Sequence, residues 1–412
     1  MPVTRRQLFK TATGALAFAS TAPLLTKAGI AAERPIKIAN ILDATGGLNA
    51  YGLKQIKATA LAINEINAAG GLLGRPVEIM FYDSQSNFQL NSQYTTQALL
   101  RDGADVVMGA IASPAREVMR PIIQKFKGFY IYNGQYEGGV CDMRFMCSGM
   151  VPGQQVKPLV DYVVKEKGLK KGYIVAADYN YGQITANWMQ KFLSEFGGEV
   201  GAIEFFPLDA TNFSASIARI QQVKPDVVWS VLVGDAQMSF YRQYEATIGK
   251  KNIPLASTTY GLGRENAVLS APENSGIMIA TSFFDDLGTD AAREFVRKYK
   301  AFSGETDYIG EYAEYGYRGA KLWAAAVEKA GNVKPDDVAR ALDGVQVAGP
   351  GGIYKIDGPT HHVSMDIHIA VGNGSGSFDV IKSFRQQPPA DLQAVCDLNK
   401  NPGDTTQYEP RI

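Results

Sequence analysis

The sequence predicts an α/β protein built as two doubly wound, Rossmann-like lobes with a cleft between them. Short apolar runs rich in β-branched residues alternate with longer stretches whose apolar residues recur at helical spacing. This alternation occurs twice, before and after about residue 157. The chain has 412 residues, which is too long for one compact core and suits two domains. Repeated strand–helix–strand units imply parallel sheets covered by helices on both faces.

The first unit contains four predicted strands with helices between them. The strands are IKIANIL, PVEIMFYDS, DVVMGA and GFYIYNG. The first helix, AYGLKQIKATALAINEINAAGG, ends in Gly70-Gly71, which suits a helix C-cap. The second is NSQYTTQALLRDGA. The third, PAREVMRPIIQKF, follows Ser113, a typical N-cap residue, and begins with a proline.

The second unit repeats this pattern and then changes character near the end of the chain. Its helices are LVDYVVKEKG, GQITANWMQKFLSEFGG, FSASIARIQQVKP and AQMSFYRQYEATIG, and its strands are KGYIVAAD, EVGAIEFFP, DVVWSVLVG and IPLASTT. Two long helices return at DAAREFVRKYKAFSG and AEYGYRGAKLWAAAVEKAG. GIYKIDG and MDIHIAVGNGSGSFDVIKSF alternate like antiparallel strands. From about Gln386 the chain is Pro-rich and polar, which indicates a partly ordered tail.

The first 32 residues are typical of an export signal. Arg5, Arg6 and Lys10 form a basic region, residues 12–25 form a mildly apolar run, and small residues precede the expected cleavage site. The adjacent arginines in TRRQLFK resemble the twin-arginine export motif. We therefore expect the mature protein in the periplasm.

Charge and hydropathy exclude several classes of function. The full chain balances 41 basic against 41 acidic residues, and the expected signal removes four basic residues, which leaves a net charge of −4. The sequence contains no basic patch and no block of like charge that would indicate a nucleic-acid partner. After the export signal the sequence contains no run of eighteen or more apolar residues, so we expect no membrane span. We expect a monomer.

The sequence lacks the common catalytic and cofactor-binding motifs. The sequence contains no G-x-S-x-G, no G-x-x-x-x-G-K-[ST], and no G-x-G-x-x-G at the first strand–helix turn. His361, His362 and His368 do not stand at zinc-ligand spacing from the cysteines and are expected to be surface or interdomain residues. We therefore predict a protein that is not an enzyme and that uses no cofactor and no metal.

The cysteines predict one short disulfide. Cys141 and Cys147 have five residues between them, which fits neither a thioredoxin-type C-x-x-C motif nor a zinc knuckle. In an exported protein the default is a disulfide that closes a short loop. Free thiols and a redox pair are the alternatives. Cys396, in the tail, is expected to be unpaired.

Polar residues that follow the first unit's strands are candidates for ligand binding. Ser113 offers a hydroxyl at a helix amino end, where unpaired N–H groups suit a carboxylate or carbonyl oxygen. Tyr136 and Glu137 follow the fourth strand and offer a flat wall and an acceptor for N–H donors. The alternatives are a plain helix cap for Ser113 and a solvated turn for Glu137.

Further candidates lie in loops near the ends of other strands. Tyr51, Tyr179 and Tyr181 could provide aromatic walls, and Asp235 could be a second acceptor. Each could equally be ordinary loop surface. Their position at the same end of successive strands favours a ligand cleft, because ligands of doubly wound sheets bind at the carboxyl ends of the strands.

Several of these motifs resemble a known family. IANILDATGGLNAYG, INEINAAGGLLGRPVEIMFYDSQSN and ADYNYGQ are similar to the branched-chain amino acid class of extracytoplasmic solute-binding proteins, the receptors of ABC importers. Within that class, GAIASPAREVMRPII, NGQYEGG and GPGGIYKIDGPTHHVSMDIHIAVG resemble the amide- and urea-binding branch. The likeness runs from about residue 35 to 385.

The resemblance implies a type I periplasmic binding protein fold. The first lobe would comprise residues 33–156 and 285–345, the second residues 157–284 and 346–385, and residues 386–412 would form a C-terminal tail. It also implies an inner-membrane ABC permease as partner. The implied ligand is urea or a short-chain amide, and the alternative is a branched-chain or other amino acid.

The resemblance also implies roles for individual residues. The ligand's polar head would be held by Ser113, Tyr136 and Glu137, and Tyr51 would form an aromatic wall beside it. Tyr181 and Asp235 would close from the second lobe. Two departures from the family pattern are the Cys-x5-Cys loop and the sequence after IPLAS, Thr258-Thr259-Tyr260, which lacks an acidic residue for an amino-acid ammonium.

Overall fold

The computed structural model describes residues 34–263 and 265–411, so the predicted export signal lies outside the described residues. From residue 35 onward, the described residues form one compact unit. The strands are β1 (Ile36–Leu42), β2 (Val77–Asp83), β3 (Val106–Gly109), β4 (Tyr130–Tyr132), β5 (Phe145–Cys147), β6 (Lys171–Ala177), β7 (Glu199–Phe206), β8 (Val227–Val231), β9 (Leu255–Ser257), β10 (Ile277–Thr281), β11 (Gln346–Gly349), β12 (Gly352–Asp357), β13 (His362–Gly372) and β14 (Phe378–Gln387).

Helices connect most of these strands. They are α1 (Asn49–Ala68), α2 (Phe88–Leu100), α3 (Ser113–Lys125), α4 (Pro152–Asp161), α5 (Asn180–Glu195), α6 (Ser214–Val223), α7 (Gly234–Thr247), α8 (Glu265–Val268), α9 (Ala271–Asn274), α10 (Asp290–Ser303), α11 (Glu311–Ala330), α12 (Pro335–Ala341) and α13 (Ala390–Gln393). A π-helical stretch, Tyr162–Glu166, continues α4.

The first sheet half consists of β1 to β5 in the order β2-β1-β3-β4-β5, with every neighbouring pair parallel. Strand β1, which lies between β2 and β3, carries buried Ile36, Ile38 and Ile41, whose β-branched side chains suit a strand covered on both faces. Helix α1 packs against α11 and covers this half. The parallel order brings the carboxyl ends of β1, β3 and β4 to one edge.

The second sheet half consists of β6 to β10 in the order β7-β6-β8-β9-β10, again with parallel neighbours. Strand β13 joins the two halves. It pairs antiparallel with β10 and β14, and it meets β5 at a single position, His362 opposite Cys147. The continuous sheet is therefore shared by both halves, and the boundaries of the two lobes stay a prediction.

The strands and helices follow the sequence patterns with a few differences. The fourth predicted strand is shorter, because only Tyr130–Tyr132 pair in the sheet. Helix α3 begins at Ser113, so Ala112 holds the N-cap position and Ser113 is not the cap that we predicted. Strands β5, β10 and β11 were not predicted. The two shortest of them are three and four residues long, too short for a periodic signal.

The end of the chain packs against the first sheet half and is better ordered than the partly ordered tail that we predicted. We call residues 390–411 the C-terminal strap. Leu392 and Leu398 of the strap are buried. The strap's Gln407 pairs antiparallel with Val140 of the loop between β4 and β5.

The predicted disulfide between Cys141 and Cys147 is wrong. Cys141 is bonded to Cys396 of the strap, 255 positions away in the chain, and Cys147 is a buried free thiol. The reason is geometric. Cys147 is fixed in β5 between β4 and β13, where its Sγ lies 3.4 Å from the carbonyl oxygen of Gly134. Cys141 lies outside the sheet and packs against the strap.

The histidines are buried and are not surface residues. His361 and His362 are 2% and 1% exposed, and burial lowers the pKa of each to about 4, so both are neutral near pH 7. Across the described residues, no group of three or more His, Cys, Asp or Glu side chains is arranged to hold a metal. None of the helices between residues 34 and 411 is both long and apolar enough to span a bilayer.

Candidate ligand-binding cleft

The carboxyl ends of strands from both sheet halves converge on a small cavity. It lies where doubly wound sheets bind their ligands, beyond the ends of β3, β4, β6, β8 and β9. The residues that line it are Tyr51, Ile111, Ser113, Tyr132, Gln135, Tyr179, Tyr181, Val233, Thr259, Leu262 and Tyr312. Five of these eleven residues are tyrosines. Among the described residues that line the cavity, none carries a charge.

The tyrosine rings form most of the cavity wall. Tyr51 lies in the first turn of α1, and its ring centroid is 5.0 Å from that of Tyr312 at the start of α11. On the opposite side Tyr179 and Tyr181 lie at the start of α5, with their centroids 6.2 Å apart. A flat solute between these faces would keep wide aromatic contact.

The tight packing of α1 against β1 fixes the position of Tyr51. Gly52 follows Tyr51, and a Cβ added to Gly52 would lie 2.1 Å from the carbonyl oxygen of Asp43. Any larger residue would push the helix start away from the strand end. The sequence Tyr51-Gly52 therefore holds the first aromatic wall against the sheet.

Ser113 is the cavity's link to a buried ion pair. Its Oγ donates a hydrogen bond to Oε2 of Glu137 at 2.6 Å, and Nη2 of Arg116 donates to Oε1 of the same carboxylate at 2.7 Å. Arg116 and Glu137 are both completely buried. Burial alone would raise the pKa of Glu137, but the charge of Arg116 and the hydrogen bonds from Arg116 and Ser113 lower it below 4.5. Glu137 is therefore ionised at neutral pH.

Aromatic rings and a second carboxylate complete the surroundings of Arg116. Its guanidinium lies 5.3 Å from the ring centroid of Tyr132 and 4.6 Å from that of Tyr136. Its Nε donates to Glu117 at 2.7 Å. The ion pair thus lies directly behind the cavity wall and is shielded from solvent.

Hydrogen bonds join the two sheet halves across the cavity. Nε2 of Gln135 donates to the hydroxyl of Tyr181 at 2.9 Å and to the carbonyl of Thr258 at 2.7 Å. The backbone N–H of Gly234 donates to the hydroxyl of Tyr51 at 3.2 Å. Nε1 of Trp188, on α5, donates to the carbonyl of Glu137 at 3.0 Å. The cleft is in a closed arrangement.

The structure brings four of the predicted site residues together in the cavity wall: Tyr51, Ser113, Tyr179 and Tyr181. Tyr136 and Glu137 lie behind this wall. The hydroxyl of Tyr136 is 2.6 Å from Nε2 of His362, and the two rings stack.

Asp235 lies outside the inner cavity, in a neighbouring depression. This wider depression shares Tyr51 with the cavity and is also lined by Asp235, Arg242 and Glu265. Glu265 is buried, and burial raises its pKa, while hydrogen bonds from Tyr51 and from the N–H of Gly263 oppose that rise. This depression is therefore the charged part of the cleft.

Several lining residues were not predicted from the sequence. Tyr132 is the last residue of β4, and Gln135 lies two positions before Glu137, so their place at a strand end is a signal that could have identified them. Tyr312 starts a helix far along the chain, and no local pattern marks it.

Comparisons with known proteins agree with this architecture. Residues 36–392 match the family model described as "Periplasmic binding protein domain". A relative from Brucella abortus (strain 2308), "Leu/Ile/Val-binding protein homolog 4", is 24% identical in an alignment of length 411 that covers 91% of this chain and 95% of that protein.

Two solved structures illustrate the similarity of fold. An amino acid ABC transporter substrate-binding protein from Pseudomonas fluorescens Pf-5 aligns with a TM-score of 0.79 at 20% identity, covering 89% of this chain and all of that one. A solute-binding protein of an ABC transporter from Rhodopseudomonas palustris BisB5, in complex with 3,4-dihydroxybenzoic acid, aligns at 0.76 and 19% identity, with 87% and 99% coverage. The predicted fold class is confirmed.

Proposed function

The chain belongs to the periplasmic binding protein domain family, and from that premise we propose that it is the substrate-binding receptor of an ABC transporter. It encloses a small polar nitrogenous solute in the tyrosine-lined cavity outside the inner membrane and delivers it to an ABC permease. Opening and closing of the two sheet halves would admit and bury the solute. The named relatives, which are binding proteins, support this role.

The direction of the hydrogen bond between Ser113 and Glu137 is the observation from which we infer the class of ligand. Glu137 is ionised, and a carboxylate can only accept hydrogen bonds, so the proton in the contact with Ser113 belongs to Ser113. With its proton committed, the Ser113 hydroxyl offers only lone pairs to the cavity. It therefore suits an N–H donor of the ligand and disfavours a carboxylate oxygen at the same place.

The lining favours an uncharged ligand. In a dry cavity, an ionised group without a partner is costly, and no described lining residue carries a charge. Urea or a short-chain amide presents planar N–H donors without a net charge. These solutes fit the tyrosine faces and the acceptor oxygen of Ser113, and we favour them.

A branched-chain or other amino acid is the second candidate. The observation in its favour is Glu265, whose buried carboxylate accepts from Tyr51, a residue that lines both the cavity and the neighbouring depression. That carboxylate could face an ammonium group if Tyr51 rotated its hydroxyl away. The relatives named for leucine, isoleucine and valine support this candidate.

Calorimetry on the mature chain with its disulfide formed tests the proposal. We expect urea or acetamide to bind, and acetate, the carboxylate of the same shape as acetamide, to bind at least about 100-fold more weakly. Ser113→Ala should weaken acetamide about tenfold, since one hydrogen bond to the ligand is lost. Ser216→Ala, which alters a buried serine of α6 outside the cavity lining, is the matched control.

Two outcomes would overturn the favoured ligand class. One is binding of leucine without binding of any amide, in which case Glu265→Gln should abolish that binding. The other is equal affinity for acetamide and acetate, which would contradict the acceptor role of Ser113.

A further inference from the structure

We infer that Gln407, in the C-terminal strap, is a positioning residue for the ligand-binding cleft, which acts through Glu137 to set the hydrogen-bonding direction of Ser113. This inference rests on the proposed function and extends it to a segment outside both sheet halves. Nε2 of Gln407 donates to Oε1 of Glu137 at 2.8 Å and lies 3.3 Å from the carbonyl oxygen of Gly138.

The contacts of the Glu137 carboxylate leave no oxygen free. Oε2 accepts from Ser113, while Oε1 accepts from Arg116 and from Gln407. The carboxylate is thus held by one group that faces the cavity, one buried cation and one amide from the strap. A change at Gln407 acts on Glu137 without altering the cavity lining, to which Gln407 does not belong.

The strap is attached firmly enough to perform this role. The N–H of Cys141 donates to the carbonyl of Thr406, and the N–H of Tyr408 donates to the carbonyl of Gly139, both at 2.8 Å. These two bonds flank Gln407 on either side. The disulfide between Cys141 and Cys396 ties the same loop to the strap covalently.

The sequence of the loop is adapted to the strap. Gly139 has a φ of +89°, and a Cβ at this position would lie 1.9 Å from the carbonyl oxygen of Tyr408. Only glycine allows the two backbones to approach this closely. The glycine pair after Glu137 therefore serves the contact with the strap.

The physical consequence concerns selectivity. As long as Glu137 is ionised, Ser113 must donate to it and can only accept from the ligand. A group that favours protonation of Glu137 would free the Ser113 proton for a ligand carboxylate. Gln407→Glu introduces such a group, because a second carboxylate next to Glu137 disfavours two negative charges.

The test measures dissociation constants for acetamide and acetate by calorimetry in wild type, Gln407→Glu, Gln407→Ala and Gln393→Ala. Gln393 is the matched control. It lies in the same strap, and its Nε2 donates to Asp357 of β12 at 2.7 Å, away from the cleft. Thermal unfolding of each ligand-free variant accompanies the binding data and shows which variants are folded.

We expect the ratio of the acetate to the acetamide dissociation constant to fall about tenfold in Gln407→Glu. Gln407→Ala should weaken acetamide about three- to tenfold, and Gln393→Ala should match wild type. An equal loss for both ligands would mean that the strap is only structural, and an unchanged ratio in a folded Gln407→Glu protein would also overturn the inference. If wild type binds neither ligand, the proposed ligand class fails instead.

Discussion

Replacement of Glu137 by glutamine separates the two roles that this residue could have. The sequence predicted a direct contact with the ligand, whereas in the structure its carboxylate faces Arg116, Ser113 and Gln407. Glutamine has the same shape and keeps one acceptor oxygen, but it removes the negative charge. The change therefore leaves the buried guanidinium of Arg116 without its main counter-charge.

The expected cost follows from the burial of the pair. Arg116 and Glu137 are both 0% exposed and lie 2.7 Å apart. Removing one partner of a fully buried pair typically costs 3–5 kcal/mol. Arg116 retains Glu117 at 2.7 Å, so we expect the low end, a loss of about 3 kcal/mol in the free energy of unfolding at pH 7. Glu117→Gln is the matched control, because this side chain is 29% exposed and its loss should cost about 1 kcal/mol or less.

The assay is equilibrium unfolding in guanidinium chloride, since urea is itself a candidate ligand. The pKa of Glu137 in the folded protein lies below 4.5, so its stabilising effect is present above pH 4.5 and is lost as the pH falls through the folded value. The difference between wild type and Glu137→Gln should therefore shrink in acid. If Glu137→Gln is as stable as Glu117→Gln but no longer binds ligand, the buried-pair account is wrong and Glu137 contacts the ligand directly.

Three further predictions concern closure, pH and the disulfide. Tyr181→Phe removes a hydroxyl bonded to Gln135 across the cleft at 2.9 Å, so calorimetry should show about five- to tenfold weaker ligand binding with little change in the unfolding temperature; an unchanged affinity would contradict its role in closure. Burial raises the pKa of Glu314 to about 7, although the charge of Arg318 opposes this rise. Relative to Glu314→Gln, the free energy of unfolding of wild type should therefore fall by up to about 3 kcal/mol as the pH rises from 4.5 to 7. A difference that does not vary with pH would refute this. Cys396→Ser opens a link between positions 255 apart and should cost up to about 5 kcal/mol of unfolding free energy, against about 1 kcal/mol for Cys147→Ala; equal losses would contradict the pairing.

The sequence was most informative where the chain repeats a local pattern. Strand β1 and helix α1 were predicted within two or three residues, because a continuous β-branched run and a long helical periodicity each carry their own signal. Strand β5 escaped prediction because its three residues are too few for a period, and its pairing with β4 and β13 depends on the whole sheet.

The cleft shows the same division between local and long-range information. Tyr51, Ser113 and Tyr181 could be identified from their places near strand ends. The amide of Gln407 and the ring of Tyr312 come from distant parts of the chain. The guanidinium of Arg116, one turn after Ser113 on α3, meets Glu137 only once the sheet has formed. No pattern near Glu137 indicates that its carboxylate is already occupied by such groups. The pairing of Cys141 with Cys396 was missed for the same reason.

The disulfide turns most of the chain into a covalent ring. The segment between Cys141 and Cys396 contains every strand of the second sheet half, together with β11 to β14. A protease that cuts one exposed loop within this segment would produce two fragments that still migrate as one molecule on a non-reducing gel. Both pieces would separate only after reduction. A receptor nicked in its ring could therefore keep both sheet halves together outside the membrane, whereas a cut before Cys141 would release the amino-terminal strands to non-covalent packing alone.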